Sequence, residues 1–250
     1  MGLEAAGLLR DPIVRGEGLG DGRGRPVLLI PGFLAGDGSL APMATWLRRA
    51  RYRATSAGVR ANVDCSSALV GRLERRLERI VAEQGARAVL IGQSRGGSLA
   101  KVLASRRPEL VCGIVTLGSP QLDPLAIHPL VRLQVEALGR LGSLGAPGLF
   151  RRTCLDGECC ADFRERLAGP LPRGVGFVSI YSRSDGVVDW RACLDPCADE
   201  QVEIRASHCG MAISAPAWRA VAAALGRFDR EERRRRARRP ARPKRLRRVA

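Results

Sequence analysis

Gly92-Gln93-Ser94-Arg95-Gly96 sets a hydroxyl between two residues that lack side chains. It lies where an apolar run, Ala88-Val89-Leu90-Ile91, gives way to a helix-like run reaching about Arg106. G-x-S-x-G between a strand and a helix is the setting of a nucleophile elbow. The serine there takes a strained backbone conformation, and the flanking positions leave no room for a Cβ. Its hydroxyl then stands clear of the sheet, and the Arg95 amide faces the oxygen that becomes anionic when a carbonyl is attacked. Taken alone the motif also fits an ordinary Gly-rich turn, so the rest of the machinery decides.

An activated serine needs an imidazole base, and the chain has only two histidines, His128 and His208. His208 follows the alternating run Val202-Glu203-Ile204-Arg205-Ala206 and precedes a helix-like run from about Ser214. That is a strand-end loop, where a base is expected. His128 sits in the apolar, proline-flanked Ala126-Ile127-His128-Pro129-Leu130 and reads as structural or as a pocket residue. The imidazole in turn needs a carboxylate to orient it and balance its charge. Phe177-Val178-Ser179-Ile180-Tyr181 reads as a buried strand, and Asp185 follows its end with a glycine behind it. Asp185 is therefore the expected acid, with a plain Asx-turn as its other reading and Asp189 as the next carboxylate in line. Near the start, Pro26-Val27-Leu28-Leu29-Ile30 ends in Pro31-Gly32, a turn able to aim the Phe33 amide at the oxyanion that Arg95 serves.

With these residues in the order Ser94, Asp185, His208, the chain resembles the α/β-hydrolases, and within them the bacterial lipase and esterase type. Thr116-Leu117-Gly118-Ser119-Pro120 and Asp185-Gly186-Val187-Val188 are similar to that type's segments after the next strand and around the acid. Pro31 departs from it, standing where His is usual. The resemblance covers residues 24–228. It implies a carboxylic ester hydrolase working through an acyl-enzyme, with Ser94, His208 and Asp185 catalytic and the Phe33 and Arg95 amides at the oxyanion. It implies no metal and no organic cofactor, and a small-molecule or lipid ester as substrate. Acyl transfer on the same triad, or a binding protein that keeps the fold without catalysis, are the alternatives.

The elements that must hold these groups read as strand 27–30, helix 39–50, strand 53–59, helix 66–84, strand 87–91, helix 95–106 and strand 112–117. Strands 176–181 and 201–206 and helix 215–228 follow. Strands alternating with helices predict an α/β fold, a mostly parallel central sheet with helices on both faces. Helix 66–84 shows an apolar stripe, Leu69, Val70, Leu73, Leu77, Ile80 and Val81, between charged residues. The stretch 120–173 reads as an irregular, leucine-rich insertion punctuated by Gly139, Gly142, Gly145 and Gly148. In this fold it would form a cap, either a lid that opens at a lipid surface or a plain cover. The expected organisation is an N-terminal extension over 1–25, a hydrolase domain over 26–228 and a basic, disordered tail over 229–250.

Composition sets the outer bounds. At 250 residues and 45% hydrophobic, the chain suffices for one α/β core. No apolar run is long enough for a membrane span, and residues 1–25 lack a signal-peptide pattern, so a cytoplasmic protein is expected. Twelve basic and three acidic residues beyond 228 supply +9 of the net +17. Such a tail suits nonspecific contact with anionic lipid or nucleic acid, or plain solvation. The arginine bias is chain-wide, since only Lys101 and Lys244 are lysine, which weakens any reading of single arginines. Eight cysteines, six of them after residue 150, point either to disulfides or to a zinc site from Cys154, Cys159 or Cys160, Cys193 and Cys197. The spacings C-x4-C-C and C-x3-C lack the paired C-x2-C pattern of common zinc sites.

Overall fold

A computed structural model describes residues 2–238. Six strands form one parallel sheet: β1 (Pro26–Ile30), β2 (Arg53–Ser56), β3 (Ala88–Gln93), β4 (Val111–Leu117), β5 (Gly176–Tyr181) and β6 (Glu200–Glu203). Their spatial order is β2-β1-β3-β4-β5-β6. β1, β3 and β4 are buried along their whole length, which is why they read as unbroken apolar runs rather than alternating ones. Side-chain alternation divides them between two core layers. Val27, Leu29, Val89 and Ile91 face α1 (Gly2–Arg10), α2 (Ala41–Arg49) and α8 (Ala215–Ala237). Leu28, Ile30, Leu90 and Ile114 face α3 (Ser66–Gln84), α4 (Arg95–Arg106) and α7 (Ala161–Ala168).

β1 pairs with β2 on one side and β3 on the other, so the chain reverses its direction of travel between β1 and β3. In an open parallel sheet, the crevice beyond the carboxyl ends of the strands at such a switch point is where ligands bind. Ser94 follows β3, and Gly32 and Phe33 follow β1, so both converge on that crevice.

The departures from the sequence-based outline have local causes. β2 stops at Ser56 because the next amides, of Gly58 and Val59, turn to Asp37 Oδ2. β6 stops at Glu203 because the Ala206 amide is taken by Ser182 Oγ and the Ser207 amide by Glu4. The insertion 120–173 is ordered helix rather than irregular chain: α5 (Pro129–Ser143), the short α6 (Thr153–Asp156) and α7. His128 caps α5, its ring accepting the Leu130 amide. Gly142 is a seat rather than a hinge, since a Cβ there would lie 2.2 Å from the Phe150 carbonyl oxygen. The last helix runs nine residues past its expected end at 228, into the segment expected to be disordered. Asp229 pairs with Arg25, just ahead of β1, and Glu232 with Arg87, just ahead of β3. The remainder of the basic tail, 239–250, lies outside the described residues. Residues 2–25 are likewise packed: Leu8 and Ile13 join the core, and the Ile13 carbonyl accepts Trp46 Nε1–H at 2.7 Å. Among the described residues, no helix is long and apolar enough to cross a membrane.

One packing detail yields a stability test. Gly113 of β4 and Gly176 of β5 stand opposite each other in register, and both lie under the ring of Phe228. A Cβ at Gly113 would fall 2.5 Å from the Phe228 ring. Gly113→Ala is expected to cost about 1–3 kcal/mol by overpacking, read as a lower denaturation midpoint. Adding Phe228→Leu should recover part of that loss; a Gly113→Ala chain as stable as the wild type contradicts this packing.

Candidate active site

Ser94 occupies φ +52°, ψ −128°, a conformation that side chains avoid, and α4 begins at the next residue. The neighbours explain how the turn holds it. A Cβ on Gly92 would sit 2.4 Å from the Gly96 carbonyl group, and one on Gly96 would sit 2.2 Å from the Ile30 carbonyl oxygen. The turn can thus pack against the end of β1 only with glycine at both places. The Ser94 amide donates to the Leu117 carbonyl at 2.8 Å, which locks the turn to β4.

The loop after β1 closes on the same point. The position a Gly32 Cβ would take is 3.1 Å from Ser94 Cβ and 3.8 Å from its Oγ. Asn62 holds this loop: its Nδ2 donates to the Pro31 carbonyl at 2.8 Å, and its backbone bridges Phe33. Arg95 holds Asn62 in turn. Its guanidinium donates to the Asn62 carbonyl and Oδ1, each at 2.8 Å, and to the Asp64 carbonyl and Ser66 Oγ. The same guanidinium lies 5.8 Å from the centre of the Phe150 ring. Desolvation pulls the Arg95 pKa down to about 10, so it remains a cation at neutral pH.

His208 and Asp185 meet directly, with Nδ1 and Oδ2 2.8 Å apart and both residues buried. The two readings of Asp185 prove compatible, because each oxygen has its own partner. Oδ1 accepts the amides of Val187 at 2.9 Å and Val188 at 2.6 Å, making the Asx-type turn, while Oδ2 faces the imidazole. The backbone of His208 is fixed at both ends. Its amide donates to the Asp185 carbonyl, and its carbonyl accepts Gln93 Nε2–H, each at 3.0 Å. Glu4 of α1 supports the loop just ahead, accepting both the amide and the hydroxyl of Ser207. Asp189 faces elsewhere: its side chain accepts the Arg191 amide and pairs with that arginine.

Phe33, Ser94, Arg95 and His208 all line one cavity of about 760 Å³. Ser94 Oγ makes no hydrogen bond to His208 among the described residues; the two share the cavity wall. The rest of the lining is mainly apolar, with Leu34, Leu125, Ile127, Val131, Phe150 and Leu167 among it, and much of it comes from the insertion. Asn62, Gln93 and Glu4 are the supporting residues that the sequence reading missed. For Asn62 a signal existed, since it is the only asparagine in the chain.

The cysteines do not assemble as the sequence suggested. Cys193 and Cys197 stay apart from the other zinc candidates, and Cys65, outside that expected set, joins Cys154, Cys159 and Cys160 instead. Cys65 stands at the start of α3, far along the chain, so no local spacing reveals it. Burial, reinforced by the charges of Asp185 and Asp189, pushes the Cys193 thiol up to about 12 and keeps it neutral. All eight cysteines are unpaired.

No family model matches the chain, and no curated protein matches its sequence. Solved structures do match. A lipase from Bacillus licheniformis in its mature form superposes with a TM-score of 0.61 at 13% identity, covering 82% of this chain and 94% of its own. A soluble variant of monoglyceride lipase from Saccharomyces cerevisiae gives 0.58 at 14% identity, over 83% and 86% of the two chains. Alpha/beta hydrolase domain-containing protein 10 from mouse gives 0.54 at 16%, over 83% and 90%. With the parallel sheet and the order of its strands, these likenesses establish that the chain has the α/β-hydrolase fold.

Proposed function

We propose that this α/β-hydrolase-fold protein is a serine hydrolase of carboxylic esters with apolar acyl groups. One observation carries the reading. A serine in a strained turn at the sheet's switch point shares a mainly apolar cavity with His208, whose ring is paired to the buried Asp185. Strain of this kind persists only where the surroundings enforce it, and it concentrates at functional sites.

The chemistry follows from the placement of each group. Asp185 Oδ2 accepts the Nδ1 proton of His208, which leaves Nε2 free as the base. Nε2 takes the Ser94 proton as Oγ bonds to the acyl carbon, and the carbonyl oxygen becomes an oxyanion. The amides of Phe33 and Arg95 donate to that oxyanion. Pro31 in place of a histidine does not disturb this role, because the donor is a backbone amide and Asn62 fixes the loop from behind. The imidazolium then protonates the departing alkoxide, leaving an ester on Ser94. Water, deprotonated by His208, attacks that ester and releases the carboxylic acid. The apolar lining suits a hydrocarbon acyl chain, whose burial is worth about 0.8 kcal/mol per methylene. The names of the superposed lipases agree with this reading.

A fluorophosphonate probe, followed by intact mass, tests it directly. The wild type is expected to gain one adduct, and Ser94→Ala and His208→Ala none. A wild-type chain that stays unlabelled, with detergent present to open the cap, rejects the reading.

A further inference from the structure

Four sulfurs gather at the rim of the cavity. The Sγ atoms of Cys65, Cys154, Cys159 and Cys160 all lie within 4.8 Å of one another. Three contacts between them are tighter: Cys65 to Cys160 and Cys154 to Cys159 at 3.5 Å, and Cys159 to Cys160 at 3.8 Å. A tetrahedron of sulfurs, each about 2.3 Å from a central zinc, has edges of about 3.8 Å. We propose that these four cysteines bind one structural Zn²⁺ that clasps the cap to the body of the fold.

Hydrogen-bond donors and positive charge surround the cluster. Cys65 is the residue at which α3 starts, so the positive end of a 19-residue helix points at the cluster. Within its first turn the Ala68 amide hydrogen-bonds Cys65, and Ser67 hydrogen-bonds Cys160 through both amide and hydroxyl. The Arg151 amide serves Cys154. Donors of this kind orient metal-bound thiolates. Four thiolates around Zn²⁺ leave a net charge of −2, and the Arg95 guanidinium acts electrostatically on Cys65, Cys154 and Cys160 to offset it. With four protein ligands no position remains for water or substrate, so the metal is structural.

The placement gives the clasp its purpose. Cys154, Cys159 and Cys160 come from the insertion, on α6, the turn after it and the start of α7, whereas Cys65 belongs to the body. Cys154, Leu155 and Phe163 line the cavity from that part of the insertion. The metal would therefore fix the cap's second half, while α5 carries exposed Leu130, Leu133 and Leu141 outside the clasp. The site departs from the expectation of a metal-free protein, and it stands independently of the proposed esterase chemistry.

The test uses the full chain, produced with zinc in the medium and purified under reducing conditions, with metal content and native mass as readouts. About one zinc per chain is expected, retained against EDTA and released when a mercurial titrates the thiols. Cobalt(II) in its place should give thiolate-to-metal charge-transfer bands and intense tetrahedral visible bands. Cys197→Ser, outside the cluster, should keep the metal, and Cys160→Ser should lose it. Four free thiols without metal, a mass lowered by four hydrogens through two disulfides, or a cobalt spectrum lacking the charge-transfer bands would each overturn the site. Because Ser94 labelling is read separately, a chain that labels but holds no zinc defeats the clasp and leaves the esterase reading standing.

Discussion

Asp185→Asn is expected to lower kcat by about 10⁴-fold while leaving the fold intact. The separation of the two carboxylate oxygens makes this a clean experiment. Asparagine keeps an oxygen for the amides of Val187 and Val188, so the turn survives. It replaces the other oxygen by an NH₂, which can only donate to His208 Nδ1. The imidazole must then carry its proton on Nε2, where it cannot accept one from Ser94, and the charge that balances the imidazolium is gone. Asp185→Ala differs in a predictable way. It removes the same catalytic partner and also strands the two amides, adding about 1–3 kcal/mol of destabilisation. Asp189→Asn should leave turnover nearly unchanged, since that side chain is engaged with Arg191. Turnover on a p-nitrophenyl ester and urea denaturation of the three variants read the whole pattern. An active Asp185→Asn chain beside an inactive Asp189→Asn chain would show the acid to be misassigned.

What is legible in the sequence is whatever local sterics and short-range periodicity dictate. Helix 95–106 is read to the residue, because Ser94 and the glycines around it punctuate the chain sharply where a strand ends. Helix 66–84 matches as well, its apolar stripe ending at Gly85 in a left-handed cap. Histidine scarcity narrows the candidate base to two residues, and the strand-end position of His208 favours it without any knowledge of the fold. The long-range supports are another matter. Gln93 reaches the carbonyl of His208, 115 positions on, and Glu4 reaches Ser207 across 203. Nothing in the composition of either segment announces its partner. The same holds for α8, whose last turns look like a solvated basic run. Asp229 and Glu232 are stabilised there by Arg25 and Arg87, residues too distant in sequence to be paired by inspection. The cysteines fail for the same reason: three of the four sit within seven residues, but the fourth, Cys65, stands far earlier in the chain at the start of α3. Local punctuation points to the candidate reacting groups, whereas the clamps that position them emerge only once the chain has folded.

Lys101→Met is expected to destabilise the protein by about 3–5 kcal/mol, the largest stability effect of any single conservative-volume change proposed for this chain. Lys101 is almost fully buried on α4, the helix that begins just after Ser94. Its Nζ donates to the Leu167 carbonyl at the end of α7 at 2.7 Å, and it pairs with the equally buried Asp195. Asp195 has further partners: Oδ1 accepts the Cys197 amide and its carbonyl accepts Gln201 Nε2–H. One ammonium thus joins the helix that follows Ser94, the insertion and the segment that follows β5. Removing it strands a carboxylate and a carbonyl away from water, and the penalty comes from that isolation rather than from the attraction lost. Lys101→Met combined with Asp195→Leu should therefore recover most of the stability, since a buried pair exchanged for apolar groups of similar volume is often neutral. A double-mutant cycle in urea measures the coupling. If Lys101→Met alone costs less than about 1 kcal/mol, in the range of an exposed pair, the buried pair is not what ties these three elements together.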